Sequence, residues 1–395
     1  MELRPDTTIT GTRHRWTAVG RSDAGDARLA GVEAAAGALA GDDPRLLVVF
    51  CADTYDLHDL LAGVAGVAEG VPLVGCTTAG ELWAGGPGDG GVVVMALGGP
   101  GFSVATAAAR AEDGGLREAS AAVAHCAELV ERRRHRVLLL LADGLAGDQQ
   151  EVVRGAYQTV GAEVPLVGGC AGDGLKMART FQFHDGEVVR DAVVGAAIAS
   201  DGPIGIGVRH GWRRVGDPML VTASAGNRVL QLGDRPALDA YLERLGATGC
   251  DDPAAFTRLA LTHPLGLSRR SGEEVRFVAG ADMDERALLC VARVPQGAQA
   301  WLMDGDDRSV LEATDQACRS ALAALDGAPP VGVLAFDCIA RRAVLGEDGI
   351  GDEVARIAAF AGGAPVAGFY TYGEIARTHG ISGFHNQTLV VLALS

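Results

Sequence analysis

The 395-residue sequence predicts an α/β protein with mixed parallel and antiparallel sheets, built from repeated strand–helix–strand–strand units in two packed domains. Three observations favour this fold class. A Pro-x-x-Gly pattern occurs three times, each copy follows a short apolar run, and a stretch with helical spacing lies between the run and the pattern. Apolar residues make up 48% of the chain and charged residues 21%, which is typical of a globular protein.

The three repeats predict the order of elements within each unit. In each, the apolar run and the strand that begins at the proline become parallel neighbours through a right-handed helical crossover. A further apolar run follows closely enough to return antiparallel. The patterns are Val71–Leu82, Val164–Leu175 and Ala364–Ile375; the runs before them are Leu46–Phe50, Val137–Leu141 and Val331–Phe336; the runs after them are Val92–Leu97, Ala192–Ala199 and Leu389–Leu394.

The remaining segments complete the predicted organisation. Helices are expected at Leu116–Arg134, Pro236–Leu245 and Arg308–Leu325, and an antiparallel meander at Val275–Val278, Ala287–Val294 and Ala298–Leu302. Glycine and proline break the pattern near 217–230. We therefore expect an N-terminal domain at 1–224, with internal repeats at about 45–110 and 135–200, and a C-terminal domain at 225–395.

Charge and composition exclude several function classes. The 34 basic and 50 acidic residues give a net charge of −16, which argues against a nucleic-acid or anionic-membrane surface. Lys176 is the only lysine, and no P-loop motif surrounds it. The sequence shows no apolar run of membrane-spanning length, no signal peptide and no CxxC pair. We expect a cytoplasmic protein with reduced cysteines.

Several motifs resemble those of the FIST family of bacterial sensory proteins. The C-terminal motifs are Gly368-Phe-Tyr-Thr-Tyr-Gly-Glu-Ile375 and Gly383-Phe-His-Asn-Gln-Thr-Leu389. Phe336-Asp337-Cys338 followed by Arg341 resembles the Cys-x-x-Arg element of the FIST-C domain. Val74-Gly-Cys-Thr-Thr-Ala-Gly-Glu81 and Gly168-Gly-Cys-Ala-Gly-Asp173 are similar to FIST-N repeats. The resemblance covers about Arg45 to Ser395.

The resemblance implies a function in signal input. It implies a small ligand, amino-acid-like or a similar metabolite, and a separate signalling partner such as a histidine kinase or a cyclic-di-nucleotide enzyme. Some relatives are described as haem proteins that sense nitric oxide, so a haem-binding sensor is the alternative. No CxxCH attachment motif is present, so any haem would be held non-covalently.

Aromatic and acidic side chains follow the second strand of the third unit. Tyr370, Tyr372 and Glu374 lie there, in a chain with only five tyrosines. Ligands bind at the carboxyl edge of open α/β sheets. Two tyrosines beside a carboxylate suit a polar molecule with an ammonium or guanidinium group. The alternative puts one tyrosine in the core and the other at the surface.

Asp337, Cys338 and Arg341 follow the first strand of the same unit. They are expected to reach the same sheet edge, because the two strands are predicted to be parallel. Arg341 offers a planar fork to Glu374 or to a ligand anion, and a structural ion pair is the alternative. Cys338 is expected to be a small buried thiol, with a nucleophile as the alternative.

His385 and Asn386 stand before the last strand. They either close a turn or line the pocket, and in the haem alternative His385 is an axial ligand. His184, His210, His263 and His379 would then compete with it. The sequence has no HxxxH or HExxH pattern and no Cys/His cluster with zinc spacing, so no metal ligands are assigned.

Two loop acids are secondary candidates. The repeats align Glu81 and Asp173 with Glu374, and capping of a following turn is the alternative for both. The predicted function is ligand binding without catalytic residues. The enzyme alternative, a hydrolase or transferase, would use Glu374 with His385.

Overall fold

The computed structural model describes residues 14–111, 115–248, 250, 252–269, 272–378 and 383–395. Within this part of the chain, the strands form three six-stranded mixed sheets and one eight-stranded antiparallel sheet. The predicted mixed α/β fold class is confirmed. None of the described helices is long and apolar enough to cross a membrane.

Unit 1 (residues 16–98) has the predicted parallel strand pair with an antiparallel return strand. Its two helices begin at the aspartates Asp26 and Asp56, whose carboxylates accept backbone N–H groups of the first turn. The elements are β1 (Trp16–Ser22), α1 (Ala27–Ala38), β2 (Pro44–Cys51), α2 (Leu57–Val67), β3 (Leu73–Thr77), β4 (Glu81–Trp83), β5 (Gly86–Gly88) and β6 (Val92–Gly98). Strands β2 and β3 are parallel, and β6 pairs antiparallel with both β2 and β1.

Unit 2 (residues 102–200) repeats this order of elements. They are β7 (Phe102–Arg110), α3 (Leu116–Ala124), β8 (His135–Ala142), α4 (Gln150–Val160), β9 (Leu166–Cys170), β10 (Gln182–His184), β11 (Glu187–Val189) and β12 (Ala192–Ser200). The helix predicted to reach Arg134 ends at Ala124 instead. A 3₁₀ turn at His125–Glu128 follows it, because the chain must turn there toward β8.

Unit 3 starts with one strand and is then interrupted. Its first strand is β13 (Ile204–Arg209), which pairs with the last strand of the chain. The inserted segment (213–304) has its own apolar core. It contains β14 (Arg213–Ala225), β15 (Arg228–Leu232), β16 (Arg235–Pro236), α5 (Ala237–Arg244), α6 (Pro253–Leu261), β17 (Leu265–Arg269), β18 (Gly272–Arg276), β19 (Val278–Asp282), β20 (Ala287–Cys290) and β21 (Gln299–Asp304).

Unit 3 resumes after the inserted segment. Its elements are α7 (Asp307–Ala323), β22 (Gly332–Cys338), α8 (Ile339–Ala361), β23 (Val366–Thr371), β24 (Glu374–Arg377), β25 (Phe384–His385) and β26 (Leu389–Leu394). The predicted meander is antiparallel, but it belongs to a larger sheet in which 217–230 forms the β14–β15 hairpin. The division predicted at 224/225 stays a prediction.

The three units exchange their short hairpins in a closed ring. The β4–β5 hairpin of unit 1 adds to β23 of unit 3, and the β24–β25 hairpin of unit 3 adds to β9 of unit 2. The β10–β11 hairpin of unit 2 adds to β3 of unit 1 and closes the ring. Each parallel strand pair is therefore covered at one edge by a neighbouring unit, which removes an exposed sheet edge.

The repeated Pro-x-x-Gly pattern has one structural reason in all three units. Gly75, Gly168 and Gly368 sit at the same place on the second parallel strand. A Cβ there would lie 1.9–2.3 Å from a carbonyl oxygen of the neighbouring strand, at Val49, Leu140 or Ala335 respectively. Only glycine permits this close backbone approach.

One face of each of the three mixed sheets contributes to a shared central core. This core includes Phe50 of unit 1, Leu139 of unit 2 and Phe336 and Phe369 of unit 3. The Phe50 and Phe369 ring centroids are 4.7 Å apart. The opposite faces pack against the helices of the units. In each unit, the hairpin donated by a neighbouring unit pairs with the second parallel strand and so lies beside the carboxyl end of that strand.

Candidate functional site

Arg341 lies at the centre of a fully buried ionic network. Its Nε donates to Asp337 at 2.7 Å, and one Nη donates to Thr314 at 2.9 Å and to Glu353. The other Nη donates to the His210 carbonyl oxygen at 3.1 Å. These four side chains, Asp337, Arg341, Glu353 and Thr314, are called the acid–arginine network below. They join β22, α7 and α8 to one another and, through the His210 carbonyl, to the chain just before the inserted segment.

The predicted partner of Arg341 therefore differs from the observed one. Glu374 is not among the partners of the guanidinium and has its own donors, the Thr371 and Thr388 hydroxyls. Arg341 is 0% exposed, and its nitrogens already meet two carboxylates. This geometry favours the structural ion pair over the ligand clamp.

The network holds two carboxyl groups beside one guanidinium. Burial and the nearby Glu353 carboxylate raise the pKa of Asp337 well above its usual range. Although burial opposes ionisation, the Arg341 guanidinium lowers the pKa of Glu353. These opposite directions make Glu353 the stronger anionic partner of Arg341. Tyr370 lies against this network with its ring under the Arg342 guanidinium, 5.0 Å from the centroid, and burial raises the pKa of its phenol.

Glu374 belongs to a second buried cluster. Its carboxylate accepts from the Thr371 hydroxyl at 2.5 Å, the Thr388 hydroxyl at 2.8 Å and the Thr388 N–H at 3.1 Å. Burial raises its pKa to about 7. The neighbouring Cys338 thiol is also buried, and burial raises its pKa well above the ordinary value, as expected for an inert thiol.

Glu81 repeats this arrangement in unit 1. It accepts from the Thr78 hydroxyl at 2.5 Å and from the Gly91 N–H at 3.2 Å, and burial raises its pKa to about 7. The strand register shows that the third equivalent residue is Gln182. The predicted alignment of Asp173 with Glu81 and Glu374 is wrong, because the loop before β10 is eight residues longer than its counterparts.

His385 and Asn386 lie near the inserted segment. His385 pairs with Glu374 in the β24–β25 ladder, but its Nε2 lies 2.9 Å from the Ala376 carbonyl oxygen. Burial lowers the pKa of His385. Asn386 is 1% exposed. The two side chains of the predicted acid–base pair, Glu374 and His385, therefore have separate hydrogen-bond partners.

The histidines that the haem alternative names and the structure describes already have hydrogen-bond partners. His184 lies 3.2 Å from Thr106 Oγ1, His263 lies 2.8 Å from the Leu259 carbonyl oxygen, and His210 accepts from the Trp212 N–H at 3.0 Å. None of the described histidines lines the three cavities below. His379 lies outside the described residues.

Tyr372 reaches from unit 3 into the long loop of unit 2. Its hydroxyl donates to Asp173 at 2.5 Å and accepts from the Leu175 N–H at 2.8 Å. Asp173 also accepts the N–H groups of residues 177–179 at 2.7–2.9 Å. Burial opposes ionisation, but these hydrogen bonds, led by that from Tyr372, lower the pKa of Asp173. The contacts of Asp173 with these backbone N–H groups are those of a residue that caps a following turn, as in the alternative given for Asp173 above.

The long loop, residues 173–180, roofs a cavity of about 220 Å³ and is called the roof loop below. The cavity lies where β2 ends, at the carboxyl edge of the parallel strands of unit 1. Lys176 of the loop meets Asp53 of unit 1, with Nζ 2.6 and 2.8 Å from the two carboxylate oxygens. The lining residues are Asp53, Asp173, Lys176, Ala178, Arg179 and Phe181.

Two other cavities lie elsewhere on the described surface. One of about 320 Å³ is mainly apolar and lies beside α2, where Leu61 and Val64 line it. One of about 460 Å³ lies at the start of α3, near Arg117 and Glu151. Of the ten predicted site residues, only Asp173 lines any of the three cavities.

The structure therefore separates the predicted site into parts. Asp337, Arg341 and Tyr370 lie at the acid–arginine network, Glu374 and Cys338 lie together beside it, and Tyr372 lies at Asp173. Sequence reasoning missed Asp53, Arg179 and Phe181, and considered Lys176 only for Schiff-base chemistry or a P-loop. The available signal was spacing. Gln182 is seventeen positions after Pro165, whereas Glu81 and Glu374 are each nine positions after the proline of their own pattern.

Comparison with known proteins defines the class. Residues 45–235 match the FIST N domain, and residues 237–377 match the FIST C domain. These domains are associated with sensory signal transduction rather than with catalysis. The chain belongs to the FIST family.

The relatives cover different shares of the chain. An uncharacterised protein of Mycobacterium tuberculosis is 28% identical over 391 residues, 94% of this chain and 97% of the relative. One of Mycobacterium bovis is 27% identical over 229 residues, 56% of this chain and 58% of the relative. One of Methanocaldococcus jannaschii is 25% identical over 161 residues, 36% of this chain and 30% of the relative.

Proposed function

We propose that this FIST protein is a sensor that binds a small molecule in the cavity under the roof loop. The observation that carries the proposal is that this cavity lies between units 1 and 2 and that a side chain of unit 3 holds its roof loop. Unit 1 supplies Asp53, unit 2 supplies the roof loop, and Tyr372 of unit 3 fixes Asp173. A ligand held there would contact units 1 and 2 directly and reach unit 3 through the Tyr372–Asp173 hydrogen bond.

The buried residues of unit 3 act as framework in this proposal. The acid–arginine network fixes α7 and α8 on β22, and the Glu374 cluster fixes β24 on the start of β26. The proposal retains Tyr372 and Asp173 from the predicted site. A role of the other predicted residues in direct ligand contact stays a prediction, as does a cytoplasmic location.

The output would pass through a separate signalling protein, as the resemblance to the FIST family implies. The proposal is of a binding protein because Glu374 and His385 have separate hydrogen-bond partners. The haem alternative is distinguished by an absorption spectrum after expression with haem supply. A Soret band from a stoichiometric complex would support haem binding, and a colourless protein would support the cavity proposal.

The single lysine makes the location of the ligand measurable. A metabolite library is first screened by thermal shift, and each stabilising compound is then tested for protection of Lys176 against reductive methylation. Mass spectrometry reads one ε-amine, with the α-amine as internal reference. We expect a stabilising ligand to slow Lys176 modification several-fold. A ligand that stabilises the protein and leaves Lys176 equally reactive would contradict the proposed site.

A further inference from the structure

We infer that the cavity under the roof loop recognises a small anion carrying a carboxylate or phosphate group. In the absence of this ligand, Asp53 pairs with Lys176, the cationic anchor that would otherwise hold the anion. This inference rests on the proposed function and adds the ligand class. In a chain of net charge −16, the cavity wall carries Lys176 and Arg179, and the Arg190 guanidinium lies 5.8 Å from the centroid of the lining ring of Phe181.

The two acids of the wall are not equivalent. Asp173 directs its carboxylate at the three loop N–H groups and the Tyr372 hydroxyl, so its hydrogen-bonding capacity is used within the protein. Asp53 has its whole carboxylate on Lys176. The lining has two cations and two anions, and among the described residues Arg179 is the lining cation that forms no ion pair. An anion that contacts Arg179 and Lys176 is therefore the complementary guest.

The Asp53–Lys176 pair already shows how the anchor holds a carboxylate. Lys176 Nζ contacts both carboxylate oxygens, and the lysine side chain is 52% exposed whereas that of Asp53 is 16% exposed. A ligand carboxylate or phosphate can make the same contacts and add the planar fork of Arg179. Since two anions compete for one ammonium group, Asp53 lowers the affinity for the ligand and returns to Lys176 when the ligand leaves.

The cavity size limits the guest. A volume of 220 Å³ lies below the range of about 300–1,000 Å³ typical of drug-sized ligands. Inorganic phosphate and short mono- or dicarboxylates suit a cavity of this size.

The test uses the full chain and isothermal titration with phosphate, succinate and the neutral analogue succinamide at matched ionic strength. We expect phosphate or succinate to bind and succinamide not to bind. Asp53→Asn removes the internal competitor and is expected to tighten anion binding about five-fold or more. Lys176→Gln is expected to weaken it at least ten-fold, and Lys176→Arg to retain most of it.

The matched control removes an ion pair that also joins two units but does not line the cavity under the roof loop. Arg342 of unit 3 holds Asp89 of the unit 1 hairpin at 2.6 Å, so Asp89→Asn removes an inter-unit pair elsewhere. Anion binding is expected to be unchanged in this variant. Weaker binding in Asp53→Asn, or equal binding of succinamide, would overturn the anion inference.

The outcomes also separate the inference from the proposed function. A neutral or cationic metabolite that protects Lys176 from methylation would overturn the anion class and leave the site in place. Anion binding that is insensitive to Lys176→Gln would place the anion elsewhere and overturn both.

Discussion

Glu81, Gln182 and Glu374 occupy the same position in the three units, and the difference between them has a thermodynamic consequence. Burial raises the pKa of Glu81 and Glu374 from the ordinary 4.5 to about 7. Between these pH values the folded state binds more protons than the unfolded chain. The stability contributed by these groups is therefore fully present below pH 4.5 and is lost as pH rises through 7.

The substitution Glu374→Gln is expected to remove part of this pH dependence. The amide mimics the protonated acid, and Gln182 shows that the fold accepts an amide at the equivalent position. We expect the variant to exceed the natural protein in unfolding free energy at pH 8 by about 2 kcal/mol, and by much less at pH 4.5. Urea unfolding at the two pH values measures this. If the unfolding free energy of the variant fell between pH 4.5 and pH 8 by as much as that of the natural protein, the prediction would be contradicted.

The acid–arginine network predicts a different response at Arg341. Arg341→Gln leaves Asp337 and Glu353 buried without a cation, so we expect a loss of about 3–5 kcal/mol in unfolding free energy. Arg308→Gln is the control: it breaks the exposed pair with Glu312 on α7, whose side chains are 86% and 53% exposed, and is expected to lose under about 1 kcal/mol. Equal losses in the two variants would contradict the structural role of Arg341.

The roof loop is the element that distinguishes unit 2 from units 1 and 3. Deleting 173–180 with Phe181→Gly gives the short turn that units 1 and 3 already use, at Ala79–Gly80 and Tyr372–Gly373. We expect this variant to fold with a cooperative thermal transition and to lose ligand binding. Circular dichroism and titration measure the two properties. An unfolded product would show that the loop is needed for the fold rather than for the site.

Element order could be predicted from the sequence because it depends on local patterns. The Pro-x-x-Gly repeats predicted the parallel strand pairs correctly, because each glycine packs against a backbone carbonyl of the neighbouring strand in its own unit. The hairpin exchange could not be predicted, because the partner of β4 or β24 lies in another unit and leaves no periodic signal. For the same reason Asp173 was aligned with Glu374 by distance from the proline, although the ladder pairs Gln182 at that position. The inter-unit contacts that form the cavity depend on this exchange.

At the scale of the whole molecule, three similar units close a ring and an inserted domain interrupts the third. Residues near 211 and 309 lie close together, with the Cβ position of Gly211 2.8 Å from the Ser309 carbonyl oxygen. The two ends of the inserted segment therefore connect to unit 3 at neighbouring positions. Trp212, directly before the inserted segment, donates its indole N–H to the Gln387 carbonyl oxygen at 3.3 Å, and the Leu261 carbonyl oxygen of the insertion accepts from the Gln387 side-chain amide at 2.8 Å.

Replacing residues 212–305 with a short glycine–serine turn is expected to leave the three-unit ring folded. The central core and all three hairpin exchanges lie outside the removed segment. Size-exclusion chromatography and circular dichroism should show a monodisperse product with a single thermal transition. An aggregated or molten product would show that the ring depends on the inserted domain.

Hydrogen–deuterium exchange with and without a ligand from the screen tests the location of the sensor site most directly. We predict slower exchange in the roof loop and in the segment that follows β2 around Asp53, because the ligand links these two surfaces. The amides of 337–341 and 370–374 are already buried and are predicted to change little. Protection centred on 337–341 and 370–374, with the roof loop unchanged, would contradict the proposed site and move the ligand to the acid–arginine network.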